Sequence, residues 1–411
     1  MNLLIVPVPL FDEGIAVQAY YFRYRKGNEI LDGARASMLD GAMIAHPLEM
    51  LNMVSLEALT MGKPIFVPIT KYMLLGRLES QCRQPEEKIV FMIDGSEIAD
   101  PGQYTGNMSR LKSFGYRFGC QKIRSPEKLA PLLELCDYIF YDSRSWEAAE
   151  DVRRRIRAAG WAKACQDVYT HIDNSEIFKD ISSKRKGMYE GRFYRTPLTK
   201  GRHDVSPLQA NLINLMNMVR DEGFEFGHLA DVIQKDPALT VSLLRLVNSA
   251  YFALKEKIKT INQAVVILGQ SEVSKWVTTA VAKLLGADRP GEVTRLALIR
   301  AKFAEELAQC FGMKAEAQSM FLMGLFSVLD AILDMPLEEA LKLVRVSDEI
   351  YSALSDCSGA YAEIYRFMLN YEAANWNSVS RVLIIRDLKA SDIYGAYVNA
   401  LVWYNNLIGA E

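Results

Sequence analysis

Along the first 197 residues, short apolar or alternating runs take turns with stretches of helical period. The segment "VPVPLFDEGIAVQAYYFRYRKG", Val6 to Gly27, reads as two extended runs around an acidic turn. In it Val6, Val8, Leu10, Val17, Ala19, Tyr21, Arg23 and Arg25 alternate with their neighbours as a strand pair would. Further strand-like runs are Pro64–Thr70, Lys88–Asp94, Tyr116–Gln121, Tyr138–Ser143, Ala162–Tyr169 and Met188–Tyr194, which with the first two makes eight. Helical patterns lie between them at Ala34–Met61, at Pro126–Leu135 behind a Ser125 cap, and at Trp146–Ala159. Eight strands with intervening helices predict a compact (β/α) barrel whose chemistry sits at the C-terminal strand ends.

The pattern changes at "RTPLTKGRHDVSP", Arg195 to Pro207, a polar stretch punctuated by three breakers. Beyond it helical periodicity continues almost unbroken: Leu239, Leu243, Leu246, Val247 and Ala250 fall on one face, with Pro237 at a helix start after Asp236. The expected organisation is a barrel domain over 1–197, a linker at 198–206 and an all-α domain over 207–411, that is, α/β plus all-α. The most apolar stretch, Met320 to Leu333, is too short to span a bilayer and carries Asp330, so it predicts a buried core helix.

Composition narrows the function classes. Of 411 residues, 48 are Lys or Arg and 50 are Asp or Glu, so no global field draws the chain to nucleic acid or anionic lipid. The six cysteines lie far apart with no C-x-x-C pair, which argues against a disulfide framework or zinc ribbon and fits a reducing cytoplasm. Pro7 and Pro9 break the apolar start, so no signal helix is expected. The basic runs "SSKRKG" (Ser182–Gly187) and "RRRIR" (Arg153–Arg157) read as a solvated loop and a basic helix end. No phosphate-binding glycine loop or nucleophile-elbow motif occurs.

"LADVIQKDPALTVSLLRLVNSAYF" (Leu229–Phe252), followed by "IKTINQAVVILGQSEVSKW" (Ile258–Trp276), closely resembles the HDOD domain, a helical relative of the HD phosphohydrolases. In bacterial signalling proteins this domain occurs behind an EAL domain, a modified TIM-like barrel that cleaves cyclic di-GMP with two metal ions. The opening "VPLFDEGIAVQAYYFRYR" and the closing "MYEGRFYRTP" of the first half resemble the ends of that barrel.

Carried over residue by residue, the resemblance implies a degenerate site. The signature glutamate falls on Tyr21, and the glutamine before the first-strand proline on Val8. The third-strand asparagine falls near Pro68, the fourth-strand glutamate near Met92, and the fifth-strand aspartates on Gln121 and Lys122. The sixth-strand lysine falls on Phe140, leaving its neighbour Asp142; the seventh-strand glutamate falls on Gln166 and the final glutamine on Glu190. Few of these can hold a hard divalent cation. The expectation is a chain that is not an enzyme, with no metal and no cofactor, while Arg23 and Arg25 are candidates to meet a nucleotide phosphate.

In the second half no histidine follows His228, and the place of the His-Asp pair holds Ser327 and Val328, so HD-type metal hydrolysis is not expected either. His46, His171, His203 and His228 read as ordinary polar residues. Three functions follow from the resemblance: an inactive cytoplasmic signalling protein that binds other signalling proteins, a non-hydrolysing cyclic di-GMP receptor, or a hydrolase rebuilt on Asp94, Asp142, Asp167 and Glu190. Tyr251, Phe252 and Trp276 are candidate interface anchors. A homodimer is expected by resemblance, and no nucleic-acid partner or membrane span is.

Overall fold

The computed structural model describes residues 3–26, 48, 52, 56–197, 206–220, 224–234, 240–241, 244, 247–248 and 257–408. By its contacts the chain divides into two compact units, Met1–Tyr194 and Arg195–Glu411. The expected linker lies outside the described residues except for Ser206. So do Leu239, Leu243, Leu246 and Ala250, the helix start at Pro237, the candidate anchors Tyr251 and Phe252, and most of the helix expected over Ala34–Met61.

The first unit is a closed barrel in the order β1 to β8: Leu3–Phe11, Val17–Lys26, Ile65–Ile69, Ile89–Asp94, Arg117–Gln121, Tyr138–Asp142, Gln166–Ile172 and Met188–Gly191. All eight overlap the runs expected from sequence, with β7 shifted toward the C-terminus of Ala162–Tyr169 and β8 ending before Tyr194. β1 runs antiparallel to both β2 and β8, and every other pair is parallel. Asp12 makes the β1–β2 turn by accepting from the N–H groups of Gly14 and Ala16, each at 2.9 Å.

Because strand side chains alternate, one face of each strand fills the barrel. Leu10, Ala19, Phe66, Val90, Met92, Tyr138, Phe140, Val168 and Met188 form that interior, with Tyr21 packed on it. Gly119 lets Met92 in, since a Cβ there would lie 2.4 Å from the Met92 sulfur. The outer faces are buried too, by helices such as Gly102–Ser113, Pro126–Leu133, Trp146–Ala159 and Ser175–Lys184. The Ser125 side chain makes no capping hydrogen bond; Pro126 at the first turn remains as the start signal.

In "RRRIR" the structure goes beyond a macrodipole effect. Arg153 and Arg157 reach Asp167 at 2.7 and 2.5 Å, and Arg155 reaches Glu127 at 2.5 Å, so the run ties its helix to the strand and helix beside it.

The second unit is helical throughout its described residues. Ser206 and Gln209 form a capping box at Pro207–Met218, and Thr260 caps Ile261–Leu285. That helix breaks at Gly269, whose backbone (φ 72°, ψ 171°) is open only to glycine. Gly291–Cys310 is buried on nearly all sides. Against it packs Ala317–Phe326, where a Cβ on Gly324 would stand 2.3 Å from the Arg300 carbonyl oxygen. The expected core helix is therefore two helices, Ala317–Phe326 and Leu329–Leu333, with Met320–Phe326 and Leu329 buried. Trp276, expected as a candidate anchor, is 4% exposed: it is core, and its ring is not available to a partner. Among the described residues no helix is long and apolar enough to cross a membrane.

Candidate functional site

One layer beyond the packed interior, two residues further toward the C-terminal strand ends, the inward side chains turn polar. They surround a cavity of about 810 Å³ whose lining includes Tyr21, Arg23, Gln121, Lys122, Arg124, Phe140, Asp142, Arg144, Thr170, His171 and Glu190. The candidate residues Tyr21, Arg23, Gln121, Lys122, Phe140, Asp142 and Glu190 are thus brought together. Arg25 pairs with Leu4 in the same strand ladder, and its side chain lies outside the described ones.

Three candidates sit elsewhere. Met92 belongs to the packed interior, and the inward residue of β4 at the rim is Asp94, two positions on. Pro68 pairs with Met92 in the ladder and is not part of the cavity lining. Gln166 is exposed at the entry end of β7, opposite the cavity; the inward residue that lines the cavity is Thr170. Asp167 also belongs to the entry end, where it is 4% exposed and held by Arg153 and Arg157, so it cannot join Asp142 and Glu190.

Each carboxylate at the rim faces a base. Lys122 Nζ lies 2.6 Å from Asp94 Oδ2, Arg144 Nη2 lies 2.6 Å from Asp142 Oδ2, and Arg23 Nη2 lies 3.3 Å from Glu190 Oε1. Burial works against ionisation of Asp94, but the Lys122 ammonium and the Ser96 hydroxyl and N–H hold its carboxyl below the usual carboxylate range. Arg144 does the same for Asp142. Tyr21 donates its hydroxyl to Gln121 Oε1 at 3.5 Å, and burial pushes its phenol above the ordinary value against the pull of Gln121 and Arg23. Among the described residues no group of three or more His, Cys, Asp or Glu side chains could hold a metal ion.

His171, read from sequence as an ordinary polar residue, lines this cavity. Its Nδ1 lies 3.3 Å from Asp142 Oδ1 and 3.1 Å from Thr170 Oγ1, and its backbone N–H donates to Glu190 Oε2 at 3.0 Å. The sequence signal for it is Gly191 directly after Glu190, a glycine inside a strand run and hence a bulge marker. His228 is exposed, and His46 and His203 lie outside the described residues.

In the second unit Ser327, where the resemblance puts the His-Asp pair with Val328, belongs to a hydrogen-bonded network of another kind. Ser327 Oγ donates to the Gly324 carbonyl at 2.6 Å and accepts from Arg300 Nη1 at 3.0 Å. Arg300 in turn binds Glu372 Oε2 through Nε at 2.7 Å, and Arg195 also binds Glu372. Val328 is buried beside them.

Residues 205–350 match the HDOD domain family. The chain is 24% identical to YuxH of Bacillus subtilis (strain 168) over 422 aligned residues, 100% of both chains. It is 26% identical over 293 residues, 67% of each chain, to a Vibrio cholerae protein named cyclic di-GMP phosphodiesterase CdgJ. Among solved structures, a standalone EAL protein from Vibrio cholerae O395 in its c-di-GMP-bound form aligns with a TM-score of 0.37 at 10% identity, over 46% of this chain and 90% of that one. EAL enzyme Bd1971, bound to cAMP and cyclic di-GMP, aligns with a TM-score of 0.36 at 10% identity, over 46% of this chain and 60% of that one. A closed eight-stranded barrel followed by an HDOD domain is the EAL–HDOD organisation that the sequence resembles.

Proposed function

We propose that this chain is a non-hydrolysing EAL–HDOD signalling protein that works through contacts with other proteins in cyclic di-GMP-linked regulation. One observation carries the loss of hydrolysis: Asp94, Asp142 and Glu190, the carboxylates at the rim, are each engaged by a basic side chain. A two-metal site needs ionised oxygens free to converge on the cations. Here Lys122, Arg144 and Arg23 already neutralise those oxygens, and Tyr21 offers a neutral phenol raised still further from ionisation. The donor set does not suit a pair of divalent ions. In the helical unit, Ser327 and the Arg300–Glu372 pair likewise supply no imidazole at the place where HD enzymes bind metal.

The test is to incubate the purified full-length chain with cyclic di-GMP and magnesium or manganese and follow the linear product. No product is expected; metal-dependent turnover that Asp142→Asn abolishes would overturn the reading. For the partner arm, immobilised chain should capture the same proteins from the source cell whether or not the metals are chelated. A second reading, a cyclic di-GMP receptor without hydrolysis, is favoured by the basic lining of the cavity. Calorimetric titration with cyclic di-GMP in a chelator separates it: heat that Arg23→Gln removes supports the receptor, and no heat leaves the protein-contact reading alone.

A further inference from the structure

The β7–β8 ladder is irregular at the cavity. Val168 pairs with Met188 and Tyr169 with Tyr189, but the next pair is Ile172 with Gly191, so Thr170 and His171 together oppose Glu190 alone. This is a bulge, and His171 takes its left-handed position with φ 61°. A side chain other than glycine is uncommon there, and such a backbone persists only where the surroundings fix it. Gly191 makes the close approach feasible, because a Cβ on it would fall 1.9 Å from the Ile172 carbonyl oxygen. Glu190 pins the bulge through the His171 N–H at 3.0 Å.

The outcome is an imidazole turned onto the cavity wall, with Nδ1 facing Asp142 and Nε2 without a partner among the described residues. Beside it, Arg144 uses Nε and Nη2 on Asp142, and Arg23 uses Nη2 on Glu190, so that among the described residues Arg144 Nη1 and Arg23 Nε and Nη1 have no acceptor. Around the cavity Arg23, Lys122, Arg124 and Arg144 outnumber Asp94, Asp142 and Glu190.

We propose that His171, held by Asp142 on the bulge, forms with Arg23 and Arg144 a binding site for a phosphate monoester that requires no metal. Several donors from one histidine and two guanidinium groups suit an anion that gathers two charges and three terminal oxygens at one point. A phosphodiester presents one charge and two such oxygens, and matches the wall less well. This goes beyond the protein-contact reading and stands or falls separately from it, because it concerns binding of a monoester and not hydrolysis or capture of a partner.

The experiment titrates the full chain with phenyl phosphate in a chelating buffer by calorimetry, with diphenyl phosphate and benzoate as comparisons. Phenyl phosphate is expected to bind, and the diester and the carboxylate to bind about tenfold more weakly or not at all. His171→Asn keeps a residue that tolerates the left-handed backbone and removes the imidazole; it and Arg144→Gln should each weaken binding about tenfold with the unfolding midpoint unchanged. Absence of monoester binding, equal binding of the diester or benzoate, or affinity unmoved by both substitutions would overturn the proposal.

Discussion

Replacing Glu372 by glutamine should loosen the helical unit sharply. Glu372 keeps 16% of its side-chain surface and is shared between Arg300, at 2.7 Å, and Arg195. Burial opposes its ionisation, but the two guanidinium groups outweigh it and bring the carboxyl from 4.5 down to about 2. That gap is worth roughly 3 kcal/mol. Breaking a buried pair by removing one partner costs a similar ~3–5 kcal/mol, because the remaining charges stay desolvated. The folded value is depressed, so the stabilisation is complete above about pH 4.5 and drains away as the pH falls toward 2. Hydrogen exchange read over Gly291–Cys310 and Ala362–Glu372 is the assay, since it reports on this unit alone. Glu372→Gln should raise exchange there by about a hundredfold near neutral pH, and the variant should lose the wild-type acid sensitivity between about pH 4.5 and 2. An increase below about tenfold, or an acid response that the substitution leaves intact, would refute the reasoning.

Asp167→Asn should destabilise the barrel by about 3 kcal/mol in denaturant titration, because it strips the carboxylate that Arg153 and Arg157 share at a buried position. Trp276→Ala should cost about 3–5 kcal/mol through a core cavity, seen as a fall in the thermal midpoint, and change partner capture only in step with unfolding. Gly191→Ala should disrupt the bulge, since the added methyl meets the Ile172 carbonyl; proton chemical shifts of His171 would move while those of the entry-end residues stay in place. Tyr21→Glu should yield no cyclic di-GMP turnover with magnesium or manganese, as Lys122, Arg144 and Arg23 still hold the neighbouring carboxylates; turnover would show that one ligand was all the site lacked.

The barrel was legible because each strand carries its own signal: period-two alternation in β2, continuous apolar runs in β4 and β6. Depth within the barrel was not. Met92 and Asp94 lie on the same face, and alternation cannot say which of them ends the packed layer. Gln166 was misplaced for the same reason, by four residues at the wrong end of β7. His171 was missed because a bulge reverses the parity on which alternation depends, and only Gly191 betrays it. The bases that meet Asp94 and Glu190 lie 28 and 167 residues away in sequence, so no local pattern could announce those pairs.

The three paired carboxylates at the rim bear on how the site could change over time. Turning any one basic partner into a carboxylate would leave too few oxygens to hold two ions and would place two like charges side by side. Each such step is therefore unfavourable by itself, and on the proposed reading a two-metal centre would need several substitutions together. On that reading the rim acts as a ratchet: single substitutions can change which ligand the cavity takes far more readily than they can assemble a pair of metal ions there.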